Sequence, residues 1–225
     1  GTHGKSIPQK TFILAAALVC LWLSYRIMFR GTGEALLEWA GIEEITASFE
    51  RRMIIFCFSV VVFLRIGFTM LYLLKRSMPW EESFSIALAF ALYYLGFACL
   101  VLPAGNAIGA VDYAGIFIFL AGSFLNTASE IQRDRFKKDP SNKGKLYTGG
   151  FFRYSMHINY FGDLLWVSGY AILTRNWYAA IIVLLLGCFF IFYNIPKLDS
   201  HLASKYGAAF KEYAAKTKKF IPFVY

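Results

Sequence analysis

Asn159, Asp163, Trp166 and Tyr170 follow one another at spacings of four, three and four residues inside an apolar run. On a helix they share one face. An amide and a carboxylate on such a face can hold ribose hydroxyls or a carboxamide by hydrogen bonds. Ionisable groups in an apolar span are expensive and point to a site; a polar contact between helices is the plainer use. Upstream lie Arg133, Arg135, Lys137, Lys138, Lys143 and Lys145, read as a basic loop whose charge-assisted hydrogen bonds suit the phosphates of a nucleotide. Most of these cations are expected to serve as charge at lipid headgroups, and about two or three to touch a ligand. His157, at the mouth of the apolar run, and His201 are too few for a metal site. Their expected use is hydrogen bonding to a cofactor or to backbone, and no metal is expected. Gly149-Gly150 reads as a turn, not a phosphate loop. Arg65 and Asp112, the other charges inside apolar runs, either pair with each other or line a substrate cavity. Glu81 and Glu82 follow Pro79 at a helix start, where the helix dipole favours acids. No Ser/His/Asp or Cys/His nucleophile arrangement stands out.

The elements that must carry these residues are membrane helices. The chain is 58% hydrophobic and 19% aromatic over 225 residues, which is too apolar for an ordinary soluble domain of this length. Apolar runs of the length a span requires cover residues 11–29, 53–74, 83–103, a shorter 111–126 with continuation of its helix into Glu130 and Arg133 as an alternative to the loop, 155–174, and 177–195 ended by Pro196. The expectation is an all-α polytopic membrane bundle of about six transmembrane helices, with a cytoplasmic amphipathic C-terminal tail. In that tail Tyr206, Phe210 and Tyr213 fall on one helical face. Residues 31–52 read as an acidic segment with a short amphipathic helix around Leu36, Leu37 and Trp39. The net charge of +9 is unevenly spread: fourteen Lys/Arg against six acids from Thr127 onward, and five Glu with no Lys or Arg between Gly31 and Glu50. Basic charge flanking apolar spans fits anionic lipid and positive-inside topology, so no nucleic-acid partner is expected. Six spans would place both termini on the cytoplasmic side. Cys20, Cys57, Cys99 and Cys188 show no metal spacing and read as small buried hydrophobes. The opening GTHGKSIPQK, His3 included, carries no functional weight, and no cleavable signal sequence is evident.

Two blocks resemble the superfamily of the steroid 5-alpha-reductases, the sterol reductases and their bacterial relatives, which shares its scaffold with the isoprenylcysteine carboxyl methyltransferases. The first runs from Asn126 to Asp163. In it Gln132-Arg133, Phe136-Lys137, Asp139-Pro140, Gly149-Gly150-Phe151-Phe152 and the stretch from Tyr154 to Asp163 match the reductase pattern that closes in Tyr-Ser-Arg-His-Pro-Asn-Tyr-x-Gly-Glu/Asp. The second is the tail: Asp199, His201, Lys205-Tyr206-Gly207, Phe210, Tyr213 and Ile221-Pro222-Phe223-Val224-Tyr225. Met156 and Ile158 depart from the family Arg and Pro; the mammalian reductases also lack the His-Pro pair. The resemblance implies cofactor residues at Asn126, Arg133, Arg135, Lys137, Tyr154, His157, Asn159, Tyr160, Asp163, Asp199, His201, Tyr206 and Tyr213. It also implies a division into residues 1–125, the lipid-substrate side, and 126–225, the cofactor half.

The implied activity is NADPH-dependent reduction of a C=C bond in a steroid-like or prenoid substrate that enters from the bilayer. The cofactor would supply the hydride, and an acid from the first half would supply the proton. His157-x-x-Tyr160 also fits an S-adenosylmethionine-dependent methyltransferase of a prenylated or lipid acceptor. A non-catalytic membrane protein that retains the fold is the third reading.

Overall fold

In the computed structural model residues 5–41 and 45–225 are described; His3 and the Glu43-Glu44 pair of the acidic segment lie outside them. The described residues are helical, without a β-strand. We number the helices α1 (Ile7–Phe29), α2 (Thr32–Trp39), α3 (Phe49–Leu73), α4 (Trp80–Leu100), α5 (Ala110–Lys138), α6 (Ile158–Thr174), α7 (Ala179–Tyr206) and α8 (Ala208–Lys216). Helices α1, α3, α4, α5 and α7 are long and apolar enough to cross a membrane. The remaining expected span, α6, has 17 residues, about 25 Å at 1.5 Å per residue and the lower limit for crossing. The protein is a multi-pass integral membrane protein built as a helical bundle.

Several elements differ from the sequence reading. Helix α5 does not stop at Asn126 but runs on to Lys138, so Arg133, Arg135, Lys137 and Lys138 sit on a helix rather than a loop. Ion pairs at i,i+3 (Glu130–Arg133, 2.6 Å) and i,i+4 (Asp134–Lys138, 2.9 Å) support this polar extension. Pro140 stops it, because the residue before a proline disfavours helix. At about 44 Å, its 29 residues exceed the ~30 Å hydrocarbon core, and the charged turns are the excess. Helix α7 likewise passes through Pro196. A π-turn at Phe190–Asn194 breaks the regular ladder, so the proline falls in the first turn of the next regular segment, where its missing N–H is tolerated. Gly207, at φ +55°, separates α7 from α8. Tyr206 therefore lies on a different helix from Phe210 and Tyr213, yet all three meet in one apolar cluster. Of the cysteines only Cys20 is buried; Cys57 and Cys188 are exposed on the apolar flanks of spans.

The chain forms two compact units. The first comprises the described residues up to Phe117 together with Gly169–Ile182, and the second comprises Ile118–Ser168 with Val183–Tyr225. In the first unit Phe12 of α1 meets Trp80 and Phe84 of α4 edge-on. Asp112 does not pair with Arg65. It lies in the first turn of α5, fully buried, and takes Arg51 (2.6 and 3.1 Å) and Arg175 (3.1 Å to each oxygen). Arg51, also fully buried, donates further to the carbonyls of Leu173 and Asn106. Arg175 lies outside the spans, and its bonds to Asp112 raise its pKa further. Tyr170 is buried against Phe97 and Phe58, its hydroxyl 2.7 Å from that of Ser59. Arg65 interacts electrostatically with Tyr170 and Tyr94.

Candidate functional site

The polar site of the second unit begins at a helix crossing. At Gly122 of α5 and Gly162 of α6 the backbones touch: a Cβ on Gly162 would stand 2.6 Å from the Asn126 nitrogen and 2.8 Å from the Gly122 carbonyl. Small residues permit this approach. One turn away from the crossing Asn126 Nδ2 donates to the Asn159 carbonyl at 2.9 Å. Asn159, itself buried, donates its amide to Glu130 Oε1 at 2.8 Å. Glu130 in turn holds Arg133 Nη2 at 2.6 Å through both oxygens, and the guanidinium lies over the Phe152 ring. Lys137, one turn further on, is within electrostatic range of Arg133, Glu130, Asp134 and Lys205 of α7.

A second set of contacts ties in the mouth of α6 and the end of α7. His157 Nε2 is 2.6 Å from Asp199 Oδ1. Its ring is parallel to Tyr160, and Tyr160 stacks on Phe190 at 4.7 Å. Tyr160 also hydrogen-bonds Asn194, and its two partners on α7, Phe190 and Asn194, are the ends of the π-turn. Asp163 accepts the Trp166 indole N–H at 2.8 Å. The tail then closes on this mouth. Ser155 Oγ donates to the Phe220 carbonyl, Met156 N to Lys218 O, and Tyr213 Oη to the Phe152 carbonyl at 2.5 Å. Burial pushes the Tyr213 phenol pKa up. Met156 and Ile158 are buried in an apolar cluster with Phe152, Phe210 and Tyr213, which accounts for their side-chain types.

Asn126, Arg133, Lys137, His157, Asn159, Tyr160, Asp163, Asp199 and Tyr206 are thus gathered in one unit, Tyr206 within electrostatic range of Arg133. Tyr213 is there too, with its hydroxyl engaged by backbone. Tyr154 is exposed against Phe223, and Arg135 and His201 are exposed; the structure does not bring these three into the polar cluster. Sequence reasoning missed Glu130, Gln132 and Asn194 as site residues. Gln132 Oε1 accepts from Phe151 N at 2.9 Å and packs against Gly150 (φ +56°), whose position has no room for a Cβ. The signal for Glu130 was present: Asn126, Glu130, Arg133 and Lys137 repeat on α5 the four, three, four spacing of α6.

The arrangement has a definite chemistry. Two amides and a carboxylate suit a ligand with hydroxyl or amide groups, and three neighbouring cations, Arg133, Lys137 and Lys205, suit one that also carries phosphate. No group of three or more metal-ligating side chains occurs among the described residues.

Known proteins bear on this geometry. Residues 77–217 match the family described as "Protein of unknown function (DUF1295)". The chain is 35% identical over 115 residues to steroid 5-alpha-reductase DET2 of Arabidopsis thaliana, covering 49% of this chain and 41% of that protein. It is 47% identical over 58 residues to the protein named "Probable O-methyltransferase ustE" of Ustilaginoidea virens, covering 26% of this chain and 20% of that one. The alignments thus span less than half the length of these relatives.

Proposed function

The chain belongs to the DUF1295 family, within the steroid 5-alpha-reductase-like superfamily, and from that premise we propose that it is an NADPH-dependent reductase of a C=C bond in a lipophilic substrate. The observation that carries this reading is the cation group Arg133, Lys137 and Lys205 beside the Asn126–Asn159–Glu130 chain. S-adenosylmethionine has no phosphate to match it. NADPH, when bound, supplies a hydride. Asn126, Asn159 and Glu130 orient its amide and hydroxyl groups, and the three cations neutralise its phosphates. Glu130 holds Arg133 in place and keeps the cations from repelling one another before the ligand arrives. His157, fixed by Asp199 and Tyr160, shapes the mouth. The basic end of α5 and the tail face the cytoplasm, where the cofactor is found, and the substrate enters from the bilayer.

Thermal unfolding of the purified protein with NADPH, NADH, S-adenosylmethionine and S-adenosylhomocysteine in turn tests the reading. NADPH is expected to stabilise by about 2.7 kcal/mol at a hundred times its dissociation constant. Asn159→Ala should abolish the shift. Lys137→Gln with Lys205→Gln should weaken NADPH more than NADH, which has one phosphate fewer. A shift with S-adenosylhomocysteine alone would make the protein a methyltransferase, the reading supported by the 58-residue match to the O-methyltransferase-named relative. Silence from all four would favour a non-catalytic protein.

A further inference from the structure

The first unit carries a second feature, independent of the reductase reading. A groove of about 570 Å³ runs between the start of α1 and the end of α3. Its walls are Ile7, Thr11 and Leu14 on one side and Met70, Leu71, Tyr72 and Leu74 on the other; Lys5, Lys10 and Lys75 complete the lining, in which none of the described residues is acidic. The groove is held by hydrogen bonds. Lys10 Nζ donates to the Leu74 carbonyl at 2.7 Å, Met78 N to Ser6 Oγ at 2.8 Å, and Ser83 Oγ to the Gln9 carbonyl at 2.8 Å. These bonds join the start of α1 to the α3–α4 link and to the first turn of α4. A π-turn at Thr69–Leu73 ends α3 there, and Lys75 Nζ lies over the Tyr72 ring. The neighbouring Arg76 is paired with Glu82.

We propose that this groove is a binding site for an anionic phospholipid, with an acyl chain along the α1/α3 wall and the headgroup phosphate at Lys5, Lys10 and Lys75. Three observations converge on that occupant. The walls are apolar and the lining charge is positive, as one lipid molecule requires. The groove lies at the ends of two spans, where headgroups are found. Basic pockets between transmembrane helices recognise headgroups through the same electrostatics that draw juxtamembrane lysines to anionic leaflets. A soluble phosphate would gain nothing from the apolar wall.

The test is a titration of phosphatidylglycerol into the full chain in phosphatidylcholine nanodiscs, read as the unfolding midpoint and by native mass spectrometry of retained lipid. Phosphatidylglycerol should raise the midpoint and stay bound. Lys5→Gln with Lys75→Gln, which leaves the Lys10 bond to Leu74 intact, should weaken it roughly 25-fold, about fivefold per lysine. Leu14→Trp, which fills the wall without touching a charge, should also abolish retention, while its midpoint in phosphatidylcholine alone reports that it folds. Lys211→Gln with Lys216→Gln, on α8, should leave the affinity unchanged. Equal loss in that control would show a diffuse charge effect and overturn the proposal. So would equal protection by inorganic phosphate, or full retention in the Lys5/Lys75 variant. These outcomes do not depend on NADPH, so the two readings can fail separately.

Discussion

Gly162→Ala tests whether the α5/α6 crossing sets the site. The added Cβ would stand 2.6 Å from the Asn126 nitrogen, which is 0.8 Å short of the 3.4 Å at which ordinary contacts begin, and the obstacle is backbone. Relief requires α6 to move away from α5 by about that amount. Asn159 lies three residues earlier on the same helix and moves with it. The Asn126 Nδ2 to Asn159 carbonyl distance would then grow from 2.9 Å to about 3.7 Å, beyond hydrogen-bond range. Overpacking of this kind destabilises by about 1–3 kcal/mol, roughly 2–4 °C of midpoint per kcal/mol at this chain length. Gly187→Ala is the matched control. Its Cβ would meet only Leu164 Cδ1 at 3.8 Å, and Ala in a helix interior is favoured over Gly by about 0.8–1.0 kcal/mol. The expected pattern is a lowered midpoint and lost NADPH protection in Gly162→Ala, with both kept or improved in Gly187→Ala. If Gly162→Ala unfolds at the parent midpoint and is protected by NADPH as well as the parent, the crossing does not position the site.

Three further outcomes follow from named contacts. Asp112→Asn leaves Arg51 buried with its counter-charge removed and should destabilise by about 3–5 kcal/mol, measured by unfolding; a loss below about 1 kcal/mol would mean that the carbonyls of Leu173 and Asn106 suffice. His157→Ala and Asp199→Ala, each alone and combined, form a cycle whose coupling should be about 0.5–3 kcal/mol for residues in contact; additivity would show that the 2.6 Å pair carries no energy. Tyr213→Phe strands the buried Phe152 carbonyl and should cost about 1–3 kcal/mol. Because the folded Tyr213 pKa is raised above its ordinary value near 10, the unfolded chain loses this proton first. Its contribution is complete below about pH 10 and declines as pH rises toward the folded value. The parent should therefore lose stability above about pH 10 more steeply than Tyr213→Phe, as followed by midpoints across that range.

The spans were legible because hydrocarbon thickness sets their length, and apolar runs of that length are rare elsewhere. Their ends were not. Pro196 reads as a stop, and only a π-turn before it lets α7 continue. The charged residues after Asn126 read as a loop, with continuation of the helix into Glu130 and Arg133 as the alternative, although Glu130–Arg133 and Asp134–Lys138 both have helical pair spacing. Cys57 and Cys188 misled because a lipid-facing flank is as apolar as a core. The Arg51–Asp112–Arg175 group joins residues 61 and 63 positions apart, a pairing that no local pattern signals. In the candidate site Asn159 and Asp163 were singled out from the face they share, but the same rule, applied to only one of the two helices, left Glu130 out.

That omission points to how the site is built. Helices α5 and α6 carry polar residues in the same four, three, four register, and they cross where both have glycine. Neither polar stripe is complete alone: the Asn159 amide of α6 finds its carboxylate, Glu130, on α5, and the Asn126 amide of α5 finds its acceptor, the Asn159 carbonyl, on α6. Bringing the two stripes into contact one turn from the crossing joins Asn159 to Glu130 and, through Glu130, to Arg133. A phosphate-bearing ligand held this way needs no glycine-rich loop, since side-chain cations on the overlong end of α5 stand in for backbone N–H groups. The glycines serve helix packing instead of phosphate approach, so the motif to look for is two polar stripes in one register flanking a pair of small residues.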